Sequence, residues 1–176
     1  MKTAKKLQLR YPNLVVYIPS CRRVFDKKFR QGLEKYEIKG KVISQQDHYE
    51  LMPYIYSLAK LALCKSGTVN MELALYGIPQ IIGYKVSRVT AFIAKRILNF
   101  KVRFISPVNL LMKKFIIPEF VQKNFNEKKI FYKACRLLDL TSEKAKVKKG
   151  YAFLKKELGE KGVVHRAAKE IINYII

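Results

Sequence analysis

Ser66-Gly67-Thr68, with Glu72 four residues on, is the stretch of this chain whose residue types and spacing could do chemistry. A short apolar run, residues 61–64, stops at this turn-forming trio, and a helical pattern follows with Glu72 about one turn in. A strand that ends in a glycine turn and enters a helix aims unpaired backbone N–H groups and a positive helix end at whatever lies above the strand. A phosphate suits that place. A carboxylate one turn along could accept hydrogen bonds from sugar hydroxyls, so the pattern points to a nucleotide or nucleotide-sugar site. The plainer readings are a helix cap for Thr68 and a solvated carboxylate for Glu72. Apolar Met71, Leu73, Ala74 and Leu75 around Glu72 weaken the second.

Such residues need a sheet to position them. Runs at 14–18, 41–44, 61–64, 79–86 and 102–105 read as strands. Helices are expected over 26–36, with Asp26 as its cap, over 49–59, over 68–76 ending at Gly77, and over 88–100. Beyond Asn124 the pattern is helical only, over 126–138, 142–158 and 163–175, with Gly159 and Gly162 dividing the last two. Strands alternating with helices at short spacing imply βαβ units on a mostly parallel sheet. That is an α/β, Rossmann-like fold, in which ligands sit outside the carboxyl ends of the strands. The expected organisation is a nucleotide-sugar domain over 1–124 and a helical segment over 125–176 that packs back on it. Because the chain opens on a helix with no strand before it, a first strand and its loop are expected upstream.

Charge bounds the partners. The 176 residues hold 36 Lys and Arg against 13 Asp and Glu, a net charge of +23, with 49% hydrophobic residues. That length and apolar content suit one domain with a real core and exclude a disordered chain. A charge this high repels itself, so an anionic partner is expected: a phosphorylated substrate, an anionic membrane surface or nucleic acid. A Lys-rich genome would raise the count without any function. Cys21, Cys64 and Cys135 are scattered and odd in number, which fits a reducing compartment and neither a disulfide framework nor a zinc site. No secretory leader and no apolar run of about 20 residues is present, so a soluble or peripheral protein is expected. His48 and His165 lack any acid or nucleophile at catalytic spacing and read as structural or surface residues.

A series of motifs carries a family likeness. Ser66-Gly-Thr-x-x-x-Glu72, Gly77-x-Pro79, Gly83-Tyr-Lys-Val-Ser87, Ala94-Lys-Arg96, Ser106-x-x-Asn-Leu-Leu111 and Pro118-Glu-Phe-Val-Gln122 occur in one order over about sixty residues. Together they resemble the C-terminal half of the lipid-A-disaccharide synthases, bacterial glycosyltransferases of the GT-B fold. The first motif alone also occurs in related nucleotide-sugar transferases. The resemblance implies transfer of a sugar from UDP-diacylglucosamine to diacylglucosamine 1-phosphate, with inversion and with no metal or cofactor. It implies UDP-sugar contacts from Ser66, Gly67, Thr68, Glu72, Tyr84, Lys85, Asn109, Glu119 and Gln122. Asn109 would stand beside the donor phosphates, although Asn is also a common turn former. Lys85 could meet a phosphate or simply lie in a solvated loop. From their residue types alone, Glu119 and Gln122 read as polar helix residues. Two departures stand out. Nothing matches the family's N-terminal domain or its Pro-Gly-Ser-Arg loop, so the general base is expected from that domain, on this chain or a separate one. The family's Gly-Arg-Glu is also replaced by Lys113-Lys114-Phe115.

A membrane surface is a further expected partner. No Asp or Glu occurs from Leu73 to Pro118. Within 88–100, Val89, Phe92, Ile93, Ile97 and Phe100 share one helical face, with Arg88 and Lys95 away from it and Arg96 alongside. Such a helix can rest on anionic headgroups. The family resemblance implies a protein in the cytoplasm, peripheral on the inner face of the cytoplasmic membrane. Packing of that apolar face on the sheet is the plainer alternative. A basic nucleic-acid-binding domain and an inactive remnant remain competing readings. No RNP-like aromatic motif, KH loop or helix-turn-helix supports the first.

Overall fold

The computed structural model describes residues 1–87, 103–160 and 162–175. The helix expected at 88–100 lies outside the described residues, and with it Arg88, Lys95 and Arg96. The chain begins with α1 (Lys2–Arg10), β1 (Val16–Pro19), α2 (Arg23–Lys35), β2 (Gly40–Ile43) and α3 (His48–Leu58). It continues with β3 (Ala62–Cys64), α4 (Val69–Leu75), β4 (Gln80–Tyr84), α5 (Pro107–Met112) and β5 (Glu119–Val121). The helices α6 (Glu127–Asp139), α7 (Thr141–Leu158) and α8 (Val163–Ile175) follow. The fold is α/β with parallel strands flanked by helices. β1 pairs with β2, Val16 opposite Gly40, where a side chain at Gly40 would run into the Val16 carbonyl. β4 lies between β3 and β5, with Cys64 opposite Ile82 and Tyr84 opposite Val121.

Apolar positions on β4 fix the packing. Ile81 and Ile82 are buried with Val108 of α5, Ala134 and Leu137 of α6, and Tyr151 and Leu154 of α7. A fully buried aliphatic side chain of this kind stabilises by about 1.5–3 kcal/mol. The helices α6 and α7 therefore close the core over the sheet. The last helix is different: Val163 through Tyr174 are all exposed. Gly77 ends α4 in the left-handed region (φ 74°), with the Ile78 N–H returning to the Leu73 carbonyl.

Several expectations are corrected. Asp26 does not cap α2, which starts at Arg23. Its carboxylate is buried and accepts a hydrogen bond from Ser44, just past β2. The hydroxyls of Ser20 and Ser44 pull its pKa below the usual carboxylate range. Residues 103–105 form no strand. Glu119 lies not in a helix but in the strand β5, whereas Gln122 opens a short 3-10 turn, Gln122–Asn124, with its own backbone left-handed (φ 50°). A Pro before a three-residue strand carries too little period-2 pattern to declare itself.

Electrostatic ties join α1 to α6. Tyr11 donates to Asp139 at 2.7 Å, Arg10 binds the other carboxylate oxygen at 3.0 Å, and Lys6 pairs with Glu127. Tyr11 and Arg10 hold the Asp139 carboxyl below its ordinary pKa, and burial pushes the Tyr11 phenol up to about 12. A depressed carboxylate adds stability that is fully present above its unfolded pKa, near 4, and lost as pH falls through the folded value. The raised phenol works oppositely, its contribution fading as pH rises from about 10 toward the folded value. Thermal melts should accordingly drop both below about pH 4 and above about pH 10. In Asp139→Asn the acid limb should be shallower, and an unchanged limb would count against this tie.

Candidate functional site

Three parallel strands bring their carboxyl ends to one edge. Past β3 come Ser66, Gly67 and Thr68; Tyr84 ends β4 and Lys85 follows it; Gln122 comes directly after β5. The sequence motifs thus converge at the place where α/β sheets bind ligands. Gln122 fastens two of these ends, its side-chain oxygen accepting the Val86 N–H at 3.1 Å. Its left-handed backbone is a conformation that a non-glycine residue holds only when its surroundings demand it. Lys65 Nζ stands 5.6 Å over the Tyr84 ring, and Lys85 is exposed. Two cations therefore flank the edge. A side chain at Gly83 would run into the Phe125 ring, which would have to move aside to admit it.

The glycine turn is organised from beneath by Asn70, a residue not singled out by its type or position in the sequence. Asn70 is fully buried. Its side-chain oxygen accepts the Gly67 N–H at 2.9 Å, and its amide nitrogen donates to the Lys65 carbonyl and the Cys64 sulfur. The Gly67 amide is therefore committed within the fold, whereas the Thr68 and Val69 N–H groups have no partner among the described residues. Free donors at this edge are the amides of 68 and 69 rather than that of 67. Gln80, also fully buried, donates to the Asn70 carbonyl at 2.9 Å and to the Tyr151 hydroxyl at 3.1 Å, and that hydroxyl donates to the Ile78 carbonyl. Burial lifts the Cys64 thiol to about 12, keeping it neutral as a weak donor toward Gln80. In retrospect, an Asn three residues after a turn glycine is the one available signal, because a short amide side chain readily accepts from the turn's N–H.

Glu72 is exposed, one turn into α4. Its carboxylate lies beside the buried Tyr56 hydroxyl, whose pKa is raised by burial first and by Glu72 second. Ser66 donates from its hydroxyl to the Ile105 carbonyl, joining the glycine turn to the loop before α5. Ser106 caps α5, with Pro107 as first helical residue. Glu119 accepts the Ile105 N–H at 2.9 Å through one oxygen, and the Ser106 N–H, the Ser106 hydroxyl and the Asn109 amide through the other. Asn109 is fully buried; it accepts the N–H groups of Ile116 and Ile117 and donates to the Ile117 carbonyl and Glu119. Asn109 and Glu119 thus form an internal clasp on the Ser106 turn. His48 lies with one ring nitrogen 3.3 Å from the Ile43 carbonyl, and His165 is exposed on α8, both outside this cluster.

The family model described as lipid-A-disaccharide synthetase matches residues 1–175. The chain belongs to that family. A lipid-A-disaccharide synthase of Prochlorococcus marinus is 45% identical over 172 residues, covering 98% of this chain and 44% of the relative. Synthases of Gloeothece citriformis and Synechocystis are 33% and 32% identical over 99% and 97% of this chain. The chain spans about 44% of the length of the lipid-A-disaccharide synthases it matches best among these. No described helix is long and apolar enough to cross a membrane.

Proposed function

We propose that this chain is the donor-binding half of a glycosyltransferase that moves diacylglucosamine from UDP-diacylglucosamine to diacylglucosamine 1-phosphate. The observation that carries the reading is the convergence of Ser66–Thr68, Tyr84–Lys85 and Gln122 at one carboxyl edge, in a chain of the lipid-A-disaccharide synthetase family. The Thr68 and Val69 amides and the Thr68 hydroxyl donate to the diphosphate, with Lys65 and Lys85 supplying charge. Glu72 accepts from the ribose hydroxyls. Asn109 and Glu119 act as positioning residues, holding the Ser106 turn against Ser66, and Gln122 fixes the strand ends. Oriented donors aimed at a diphosphate leaving group stabilise the charge it gains as the glycosidic bond breaks. The general base comes from an N-terminal domain, on this chain or a separate one. The acylated substrates bring the protein to an anionic membrane face on the cytoplasmic side, where Arg88, Lys95 and Arg96 add attraction.

Calorimetry with UDP tests the donor site. Binding is expected, and Glu72→Gln should weaken it by roughly tenfold, the value of a charge-assisted hydrogen bond of about 1.5 kcal/mol. Folded protein that takes up no UDP would overturn the reading.

A further inference from the structure

We propose that the first two turns of α2 form a docking surface for an anionic lipid bilayer. Residues 22–30 carry five cations, Arg22, Arg23, Lys27, Lys28 and Arg30, against a single acid, Asp26. That acid is turned inward, 9% exposed and bound to Ser44. All five cations are exposed, and none enters an ion pair among the described residues. Arg23 donates to the side-chain oxygen of Gln46, a neutral partner that leaves its charge in place. The next acid on the helix, Glu34, stands a turn beyond Arg30. The outer surface of these two turns therefore keeps a cationic excess, offset only in part by Asp26 acting on Arg30 and Arg23 at a distance.

Apolar side chains sit among those charges. Val24 is 73% exposed and Phe25 44%, its ring 6.3 Å from that of Phe29. The Arg23–Gln46 bond joins the start of α2 to the turn leading into α3, where Tyr49 is 94% exposed. Single exposed apolar residues are ordinary. A valine, a phenylalanine and a tyrosine interleaved with exposed Arg and Lys are the composition of an interfacial anchor. There cations meet lipid phosphates and apolar tips enter the headgroup boundary. RNA would also attract the cations and could stack on Phe25 or Tyr49, but aliphatic Val24, 73% exposed, suits an apolar headgroup boundary and offers a base no stacking face. The surface deepens the membrane reading above and is separate from residues 88–100. It stands on charge and exposure, independently of the donor site.

The test is sedimentation of the 176-residue chain with vesicles of phosphatidylglycerol in phosphatidylcholine and with phosphatidylcholine alone, without nucleotide sugar. Failure there would leave the UDP reading standing. Binding to the anionic vesicles only is expected. Arg22→Gln/Lys27→Gln/Lys28→Gln should weaken it by about a hundredfold, roughly fivefold per cation, and Val24→Ser/Phe25→Ser should weaken it by about tenfold. The three cations are exposed, so the melting curve of that variant should match the parent and serve as the control. Phe25→Ser also loses contact with Phe29, so its vesicle binding is compared at a temperature where it is folded. Unchanged binding of the triple variant would overturn the proposal, as would equal binding to neutral vesicles. So would loss confined to Arg88→Gln/Lys95→Gln/Arg96→Gln, or the α2 substitutions weakening a short RNA duplex while vesicles stay unbound.

Discussion

Asn109→Ala is expected to remove about 3–5 kcal/mol of stability, read as a shift in the urea midpoint at unchanged slope. The side chain is fully buried and serves three backbone groups, the N–H groups of Ile116 and Ile117 and the Ile117 carbonyl. Truncation strands all three where water cannot replace it, and each buried unmade hydrogen bond costs about 1–3 kcal/mol. The Glu119 carboxylate also loses a donor at 2.7 Å. Asn109→Asp should fare no better. It keeps an acceptor for the two N–H groups but sets a second carboxylate against Glu119, whose partners are otherwise neutral N–H and O–H groups. A midpoint within 1 kcal/mol of the parent for either variant would mean that the clasp is not formed in solution.

The second large effect falls on ligand affinity. Asn70→Ala should weaken UDP binding at least tenfold and cost about 2–3 kcal/mol of stability. The Gly67 N–H and the Lys65 carbonyl both lose their partner, so the turn presenting the Thr68 and Val69 amides is no longer held in one conformation. Reordering that turn on binding would then draw on the binding free energy. Leu154→Ala is the control. The Leu154 side chain is fully buried on α7 and makes no contact in the turn itself, so its loss, at about 2–5 kcal/mol, reaches the turn only through the fold as a whole. If the two variants, compared at temperatures where both are folded, lose UDP affinity equally, Asn70 has only a general stabilising part.

Local pattern made much of this legible. β1 to β4 and the helices around them stand close to where apolar runs, Gly77 and the Pro and Gly breaks put them, because each signal lies within one element. The convergence of Ser66–Thr68 with Lys85 also followed from pattern, since parallel strands send all carboxyl ends one way. What escaped depends on pairs distant in sequence. Asp26 near a helix start looks like a cap, and only the approach of Ser44, eighteen residues away, makes it an inward-facing acid. Glu119 looks like a solvated helix residue until Ile82 pairs with it and the Ser106 turn fills its carboxylate. The helix α5 is not among the expected elements: Ser106 followed by Pro107 is a capping residue and a first-turn proline, but at six residues the helix lacks a periodic stripe.

One relay of contacts reaches further than its length suggests. From the Tyr151 phenol on α7 it passes through the Gln80 amide to Asn70 and ends at the Gly67 N–H, crossing the core from rear to rim. Loosening residues 141–158 would therefore loosen the Ser66–Thr68 turn, and UDP bound there as proposed would in turn slow amide exchange along those residues. Helix α7 and the glycine turn are expected to melt as a single cooperative unit.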